Sequence, residues 1–97
     1  MRAPAIVYAA DPPAARIAVA LDALVAVYHR PSGVTHLLAA PSPELLDALA
    51  DGPADAATLR DRLAARYDLE GDADDRITAT IDARMEEMIV AGLAWTT

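Results

Sequence analysis

Residues 24–49, LVAVYHRPSGVTHLLAAPSPELLDAL, determine the fold more than any other part of the chain. Two apolar runs, Leu24–Tyr28 and Val34–Leu38, flank the turn sequence Arg30-Pro31-Ser32-Gly33. Proline presets φ in such a turn and glycine tolerates a positive φ, so the pattern predicts a β-hairpin. Pro41-Ser42-Pro43-Glu44 follows almost at once. The Ser42 hydroxyl is expected to cap a helix there, and Pro43 suits the first helical turn.

Three helices are predicted from this point onward. The first runs from Pro43 to about Ala50, and the second is capped by Asp55 and ends near Tyr67. An acidic loop at 68–74 precedes the third helix, which starts at Asp74 or Asp75 and ends at Gly92. Apolar residues recur along this helix at helical spacing, which predicts a buried stripe. The stripe consists of Ile77, Ile81, Met85, Met88 and Ile89.

The two ends of the chain and the segment before the hairpin carry weaker signals. Ile6-Val7-Tyr8 is expected to form an edge strand that ends at Asp11-Pro12-Pro13. Arg16–Tyr28 fits two strands joined by a turn at Asp22-Ala23, and it fits a helix equally well. Leu93-Ala94-Trp95 is expected to be an extended tail that tucks its aromatic ring against the core.

Composition excludes several classes of function. A chain of 97 residues is at most one domain with a modest core. The net charge is −7 and all eight basic residues are Arg, which argues against a surface that binds nucleic acid. The lack of cysteine excludes disulfides, thiolate nucleophiles and Cys-based zinc sites. No signal peptide or membrane-spanning apolar run is recognisable, so we expect a cytoplasmic protein without a membrane partner.

No catalytic, cofactor or metal motif is recognisable in the sequence. P-loop, GxSxG, HExxH and GxGxxG patterns are all missing, and Ser32 and Ser42 have structural reasons for their positions. We therefore expect neither enzyme activity nor a cofactor. His29 and His36 are predicted to share one face of the sheet, where two imidazoles would begin a metal site. Because no third ligand is recognisable, we expect no metal site.

Three segments of the chain resemble the PqqD-like peptide chaperones, and more closely the subgroup of HPr-rel-A systems. They are YHRPSGVTHLLAAPSPELLDAL, GPADAATLRDRLAARYDL and the final AGLAW. The likeness covers about Arg16–Trp95 and rests on apolar and turn patterns. It implies an α+β, winged-helix-like fold in which a three-stranded antiparallel sheet is followed by three helices. Residues 16–97 would form this domain behind an N-terminal arm at 1–15, and Arg16–Tyr28 would then be strands.

The resemblance also implies a recognition element for the leader region of ribosomally made peptides. In that family the leader adds as a β-strand to the third strand, in the groove beside the third helix. Carried over, the peptide-binding residues are Val34, Thr35, His36, Leu37, Leu38, Ile77, Thr80, Ile81, Arg84 and Met88. The chain would be a non-catalytic adaptor that presents a peptide or protein client to a partner enzyme. The candidate partner is the HPr-kinase-related protein of such systems.

Two alternative functions use the same architecture. A winged helix that binds DNA needs a basic reading helix, but the third helix carries Asp82, Glu86 and Glu87 against Arg76 and Arg84. A structural dimerisation module stays open, because the addition of edge strands also makes homodimers. Under the adaptor interpretation, an acidic domain favours a client with basic residues.

Overall fold

A computed structural model describes residues 5–67 and 74–97 of the chain. This part of the chain forms six β-strands and three α-helices, which confirms the predicted α+β class. Their bounds are β1 Val7–Ala10, β2 Arg16–Leu21, β3 Leu24–His29, β4 Val34–Ala39, α1 Ser42–Ala48, β5 Ala54–Asp55, α2 Ala56–Ala64, α3 Asp74–Val90 and β6 Ala94–Thr96. The predicted acidic loop lies outside the described residues, except for its last position.

The predicted hairpin is the centre of an antiparallel sheet with the strand order β2-β3-β4. Arg16–Leu21 is therefore a strand, and the helical alternative for this segment is wrong. Asp22, at φ 60°, makes the tight turn between β2 and β3, because a short polar side chain tolerates this conformation. Gly33, at φ 70°, ends the turn between β3 and β4, where His29 pairs with Val34.

A second antiparallel sheet, with the order β5-β1-β6, is not predicted by the sequence. Its central strand is β1, in which Tyr8 lies between Ala54 and Thr96. A strand does form near the predicted residues 6–8, but the expectation that it lies at the edge of a sheet is wrong, because both edges of β1 are paired. The partners are only two and three residues long and come from distant parts of the chain. Alternation of apolar and polar residues cannot mark strands so short.

The helix boundaries differ from prediction at two positions and agree with it at two others. Ser42 does not cap α1: Pro41 holds the cap position, and the Ser42 side chain is buried as the first helical residue. Asp55 does cap α2, where its Oδ1 accepts from Thr58 N–H at 2.8 Å. α2 ends at Ala64, before the predicted Tyr67. Gly92, at φ 82°, ends α3 as predicted.

The hydrophobic core lies between the three helices and the β5-β1-β6 sheet. The α3 stripe contributes to it as predicted, with Ile77 and Ile89 only partly buried. Trp95 is 44% exposed, so the C-terminal tail packs through Leu93 and Ala94 rather than through the indole ring. The core consists of Tyr8, Leu45, Leu46, Ala48, Leu49, Ala54, Leu59, Leu63, Ile81, Met85, Met88, Leu93 and Ala94. Among the described helices, none combines the length and apolarity needed to cross a bilayer.

Candidate functional site

β4 is the outermost strand of its sheet, so one of its edges has no strand partner among residues 5–67 and 74–97. Two backbone hydrogen bonds define the directions in which the N–H and C=O groups of β3 point. Gly33 N–H donates to His29 O at 2.8 Å, so the backbone groups of His29 point towards β4. Arg30 N–H donates to Ala15 O at 2.8 Å, so those of Arg30 point towards β2. This direction alternates along an antiparallel strand.

The register then assigns each β4 residue to one of the two edges. Val34, His36 and Leu38 lie opposite odd-numbered residues of β3, whose backbone groups point towards β4. Their own N–H and C=O groups therefore bond inward. Thr35 and Leu37 direct their N–H and C=O groups to the open edge. This edge offers unpaired donors and acceptors at two successive positions, which is what a further strand needs.

The five residues predicted on β4 divide between the two faces of the sheet. Thr35 and Leu37 point their side chains to one face, and both are exposed. Val34, His36 and Leu38 point to the other face, where Leu38 packs against the core. His36 Nε2 is buried and has no hydrogen-bond partner among the described residues.

The five residues predicted on α3 divide between the core and the surface. Ile81 and Met88 are 1% and 2% exposed, so a bound peptide cannot reach their side chains. Ile77 packs against the same core, and Thr80 is exposed. Arg84 pairs with Glu87 at 2.8 Å. α1 is the helix that packs against both β4 and α3.

An apolar pocket of about 260 Å³ lies next to the end of β4. Ala40, the residue after this strand, lines it together with Pro41, Glu44, Leu63 and Tyr67. Glu44 Oε2 is buried and has no hydrogen-bond partner in the part of the chain that the structure describes. Among the described residues, Glu44 is the one acidic residue in the wall of this pocket, and an acidic side chain there would attract the charged end of an Arg or Lys side chain. No sequence pattern singles out this pocket, because its walls come from two separate segments, 40–44 and 63–67.

His29 joins the hairpin tip to the segment that follows β1. Its Nε2 lies 2.8 Å from Asp11 Oδ2, and its Nδ1 lies 2.8 Å from Ser32 Oγ. The sequence gives no signal for Asp11, which there indicates only the end of a strand. Asp11 and Ser32 together engage both ring nitrogens of His29. Among the described residues, no group of three His, Asp or Glu side chains is placed to hold a metal ion.

An Asp–His–Ser cluster raises the question of nucleophilic catalysis. Ser32 Oγ already accepts from Val34 N–H at 3.3 Å and lies 3.4 Å from His29 O. Catalysis by such a serine also needs N–H donors aimed at the developing oxyanion. The nearest donors, Gly33 and Val34, are used inside the turn. The geometry of this cluster therefore suits a structural link better than a catalytic one.

Comparison with known proteins finds no relative of this chain. No family model matches the chain, and neither a curated protein nor a solved structure matches it. The resemblance to PqqD-like chaperones therefore stays a prediction. The open edge of β4 and the pocket at its end are the candidate binding features of the described residues.

Proposed function

We propose that this chain is a small non-catalytic adaptor that binds an extended peptide or protein segment at β4 and presents it to a partner enzyme. The observation that carries the proposal is the open edge of β4, where Thr35 and Leu37 direct their backbone groups outward. A client strand would pair with these groups and extend the β2-β3-β4 sheet to four strands. The proposed partner enzyme is the HPr-kinase-related protein that the resemblance to PqqD-like chaperones implies.

Main-chain pairing supplies affinity in this mode, and side-chain pockets supply specificity. The pocket lined by Ala40, the residue after β4, is the proposed place for a side chain of the client. Its apolar walls suit the stem of a long side chain, and Glu44 suits a positive end. The net charge of −7 favours the approach of a basic segment over long range. The proposed client is therefore an extended segment with an Arg or Lys residue.

The test starts from a displayed library of random 15-residue peptides selected against the wild-type chain. A selected peptide is then titrated against wild type, Thr35→Pro and Thr35→Val. Proline removes the outward N–H of Thr35, whereas valine keeps it and changes only the side chain. We expect Thr35→Pro to weaken binding at least tenfold and Thr35→Val to stay within about threefold of wild type.

Selection should enrich peptides with Arg or Lys, and Glu44→Gln should reduce that enrichment. Equal affinities of wild type and Thr35→Pro, in variants with the same circular dichroism, would show that β4 does not bind the peptide. Failure to enrich any peptide would argue against a peptide-binding role. Co-purification with the products of neighbouring genes then identifies the partner enzyme.

A further inference from the structure

One face of the β2-β3-β4 sheet is apolar, and no other element of residues 5–67 and 74–97 covers it; we call it the open sheet face. Residues that lie opposite each other in an antiparallel pair share a face. The register gives three rows of three residues across the sheet. The rows are Ile17, Tyr28 and Thr35; Val19, Ala26 and Leu37; and Leu21, Leu24 and Ala39.

The open sheet face carries six large side chains and no charge. The exposed fractions of Ile17, Val19, Leu21, Leu24, Tyr28 and Leu37 lie between 38% and 62%. Antiparallel sheets that face water on one side normally carry polar residues there. Here Thr35 and the Tyr28 hydroxyl are the only side-chain hydrogen-bonding groups among the nine residues. A contiguous apolar patch of this kind marks an interaction site.

We propose that the open sheet face binds the same face of a second copy of this chain, so that two three-stranded sheets form a six-stranded sandwich. The six exposed side chains offer roughly 500 Å² per copy, hence roughly 1,000 Å² for the pair, which is about the least that a specific interface buries. Sheets that pack face to face in this way keep their strands within about 30° of each other.

The chemistry of the face favours a second copy over other partners. A neutral apolar surface is complementary to itself, which a two-fold interface requires. The net charge of −7 opposes the association of two copies over long range, but this face is free of charge and so adds no like-charge contact of its own. The same acidic balance disfavours an anionic membrane surface. A basic partner would find no carboxylate among the nine residues to pair with.

The small residue Ala26 lies at the centre of the three rows, between Val19 and Leu37. It allows two sheets to approach closely at the middle of the interface, while larger side chains surround it. Face-to-face packing leaves the backbone edge of β4 open, because that edge lies in the plane of the sheet. The dimer uses side chains of the sheet face and the client uses backbone groups of the β4 edge, so each proposal can fail without the other.

Sedimentation equilibrium of the full chain between 1 and 500 µM tests the dimer. Val19→Glu places a charge on the open sheet face, and Ala18→Glu places the same charge on the opposite, exposed side of the same strand. We expect a wild-type dimer with micromolar dissociation, at least a hundredfold weaker association for Val19→Glu, and less than a threefold change for Ala18→Glu. A monomer at 500 µM, a dimer that survives Val19→Glu, or equal losses in both variants would overturn the proposal.

A cross-linking experiment keeps the proposal testable if Val19→Glu fails to fold. The chain has no cysteine, so Ala26→Cys introduces a single thiol at the centre of the face. Under mild oxidation, we expect Ala26→Cys to form a covalent dimer at least tenfold faster than Ala18→Cys. Equal rates for the two variants would show that the two copies do not meet through this face.

Discussion

The phenolic hydroxyl of Tyr8 donates a hydrogen bond to Asp82 Oδ1 at 2.5 Å and so joins β1 to α3. Tyr8 is 1% exposed, and its ring belongs to the core. Burial, followed by the hydrogen bond to Asp82 and the charges of Asp82 and Glu86, raises the pKa of Tyr8 well above its ordinary range. The neutral phenol is thus the form that the folded state requires.

We expect Tyr8→Phe to lower the free energy of unfolding by about 1–3 kcal/mol at pH 7, since it removes a bond to a charged acceptor. The control is Tyr67→Phe, which changes an exposed ring. Urea unfolding of both variants measures the difference. An effect of Tyr8→Phe no larger than that of the control would mean that the bond to Asp82 adds nothing to stability.

The raised pKa of Tyr8 also predicts a loss of stability in alkali. The folded-state pKa lies above the unfolded-state value of about 10, so the contribution is complete below pH 10 and is lost as the pH rises towards the folded-state pKa. Wild type should therefore lose more stability between pH 9 and 11 than Tyr8→Phe does. Parallel losses in the two proteins would contradict this assignment.

Asp55 makes a second predictable contribution, at the start of α2. Its hydrogen bonds from Thr58 lower the pKa of its carboxyl group. The stabilisation is therefore present above the unfolded-state pKa and is lost as the pH falls through the lowered folded-state pKa. Asp55→Ala should cost about 1 kcal/mol at pH 7, whereas Asp55→Asn should keep most of the cap without its acid dependence. Unfolding at pH 7 and pH 3 compares the three proteins.

A further prediction concerns zinc binding. Both ring nitrogens of His29 are engaged by Asp11 and Ser32, so His36 has no free imidazole to share a metal with. Calorimetric titration of the wild-type chain with zinc should show no stoichiometric event of high affinity. A 1:1 submicromolar event that disappears in His36→Ala would contradict this expectation.

The sequence predicts the β3-β4 hairpin and the three helices because each carries a local signal, whereas the pattern of Arg16–Leu21 fits a strand and a helix equally well. Gly33 and Gly92 have the positive φ angles that their positions suggest, and the Asp55 cap is read directly from its residue type. The β5-β1-β6 sheet is not predicted, because its strands are far apart in the sequence and its two outer strands are very short. Ser42 fails as a cap because the chain turns its side chain into the interior.

The candidate site is predictable only in part, for a similar reason. The sequence locates β4, since its apolar run and turn are local. The sequence does not show that the side chains of Ile81 and Met88 are buried in the core. Helical periodicity is the same for a stripe that packs in a core and for a stripe that lines a groove. The Glu44 pocket and the Asp11–His29 pair depend on contacts between separate segments, for which the sequence holds no local signal.

The last prediction tests the direction of the backbone groups on β4. Proline removes an N–H and is tolerated in a sheet only where that group faces an open edge. His36 lies opposite Val27 and bonds inward to β3. His36→Pro should therefore lower the free energy of unfolding by about 1–3 kcal/mol through the unpaired carbonyl left on β3.

Thr35→Pro is the matched variant, because the neighbouring N–H points outward. It should keep the far-ultraviolet circular dichroism of wild type and lose less stability than His36→Pro. Urea unfolding of both variants at pH 7 provides the comparison. If Thr35→Pro were the more damaging of the two, the backbone groups of β4 would alternate in the opposite sense. His36 rather than Thr35 would then face the open edge, and a client strand would have to pair with Val34, His36 and Leu38.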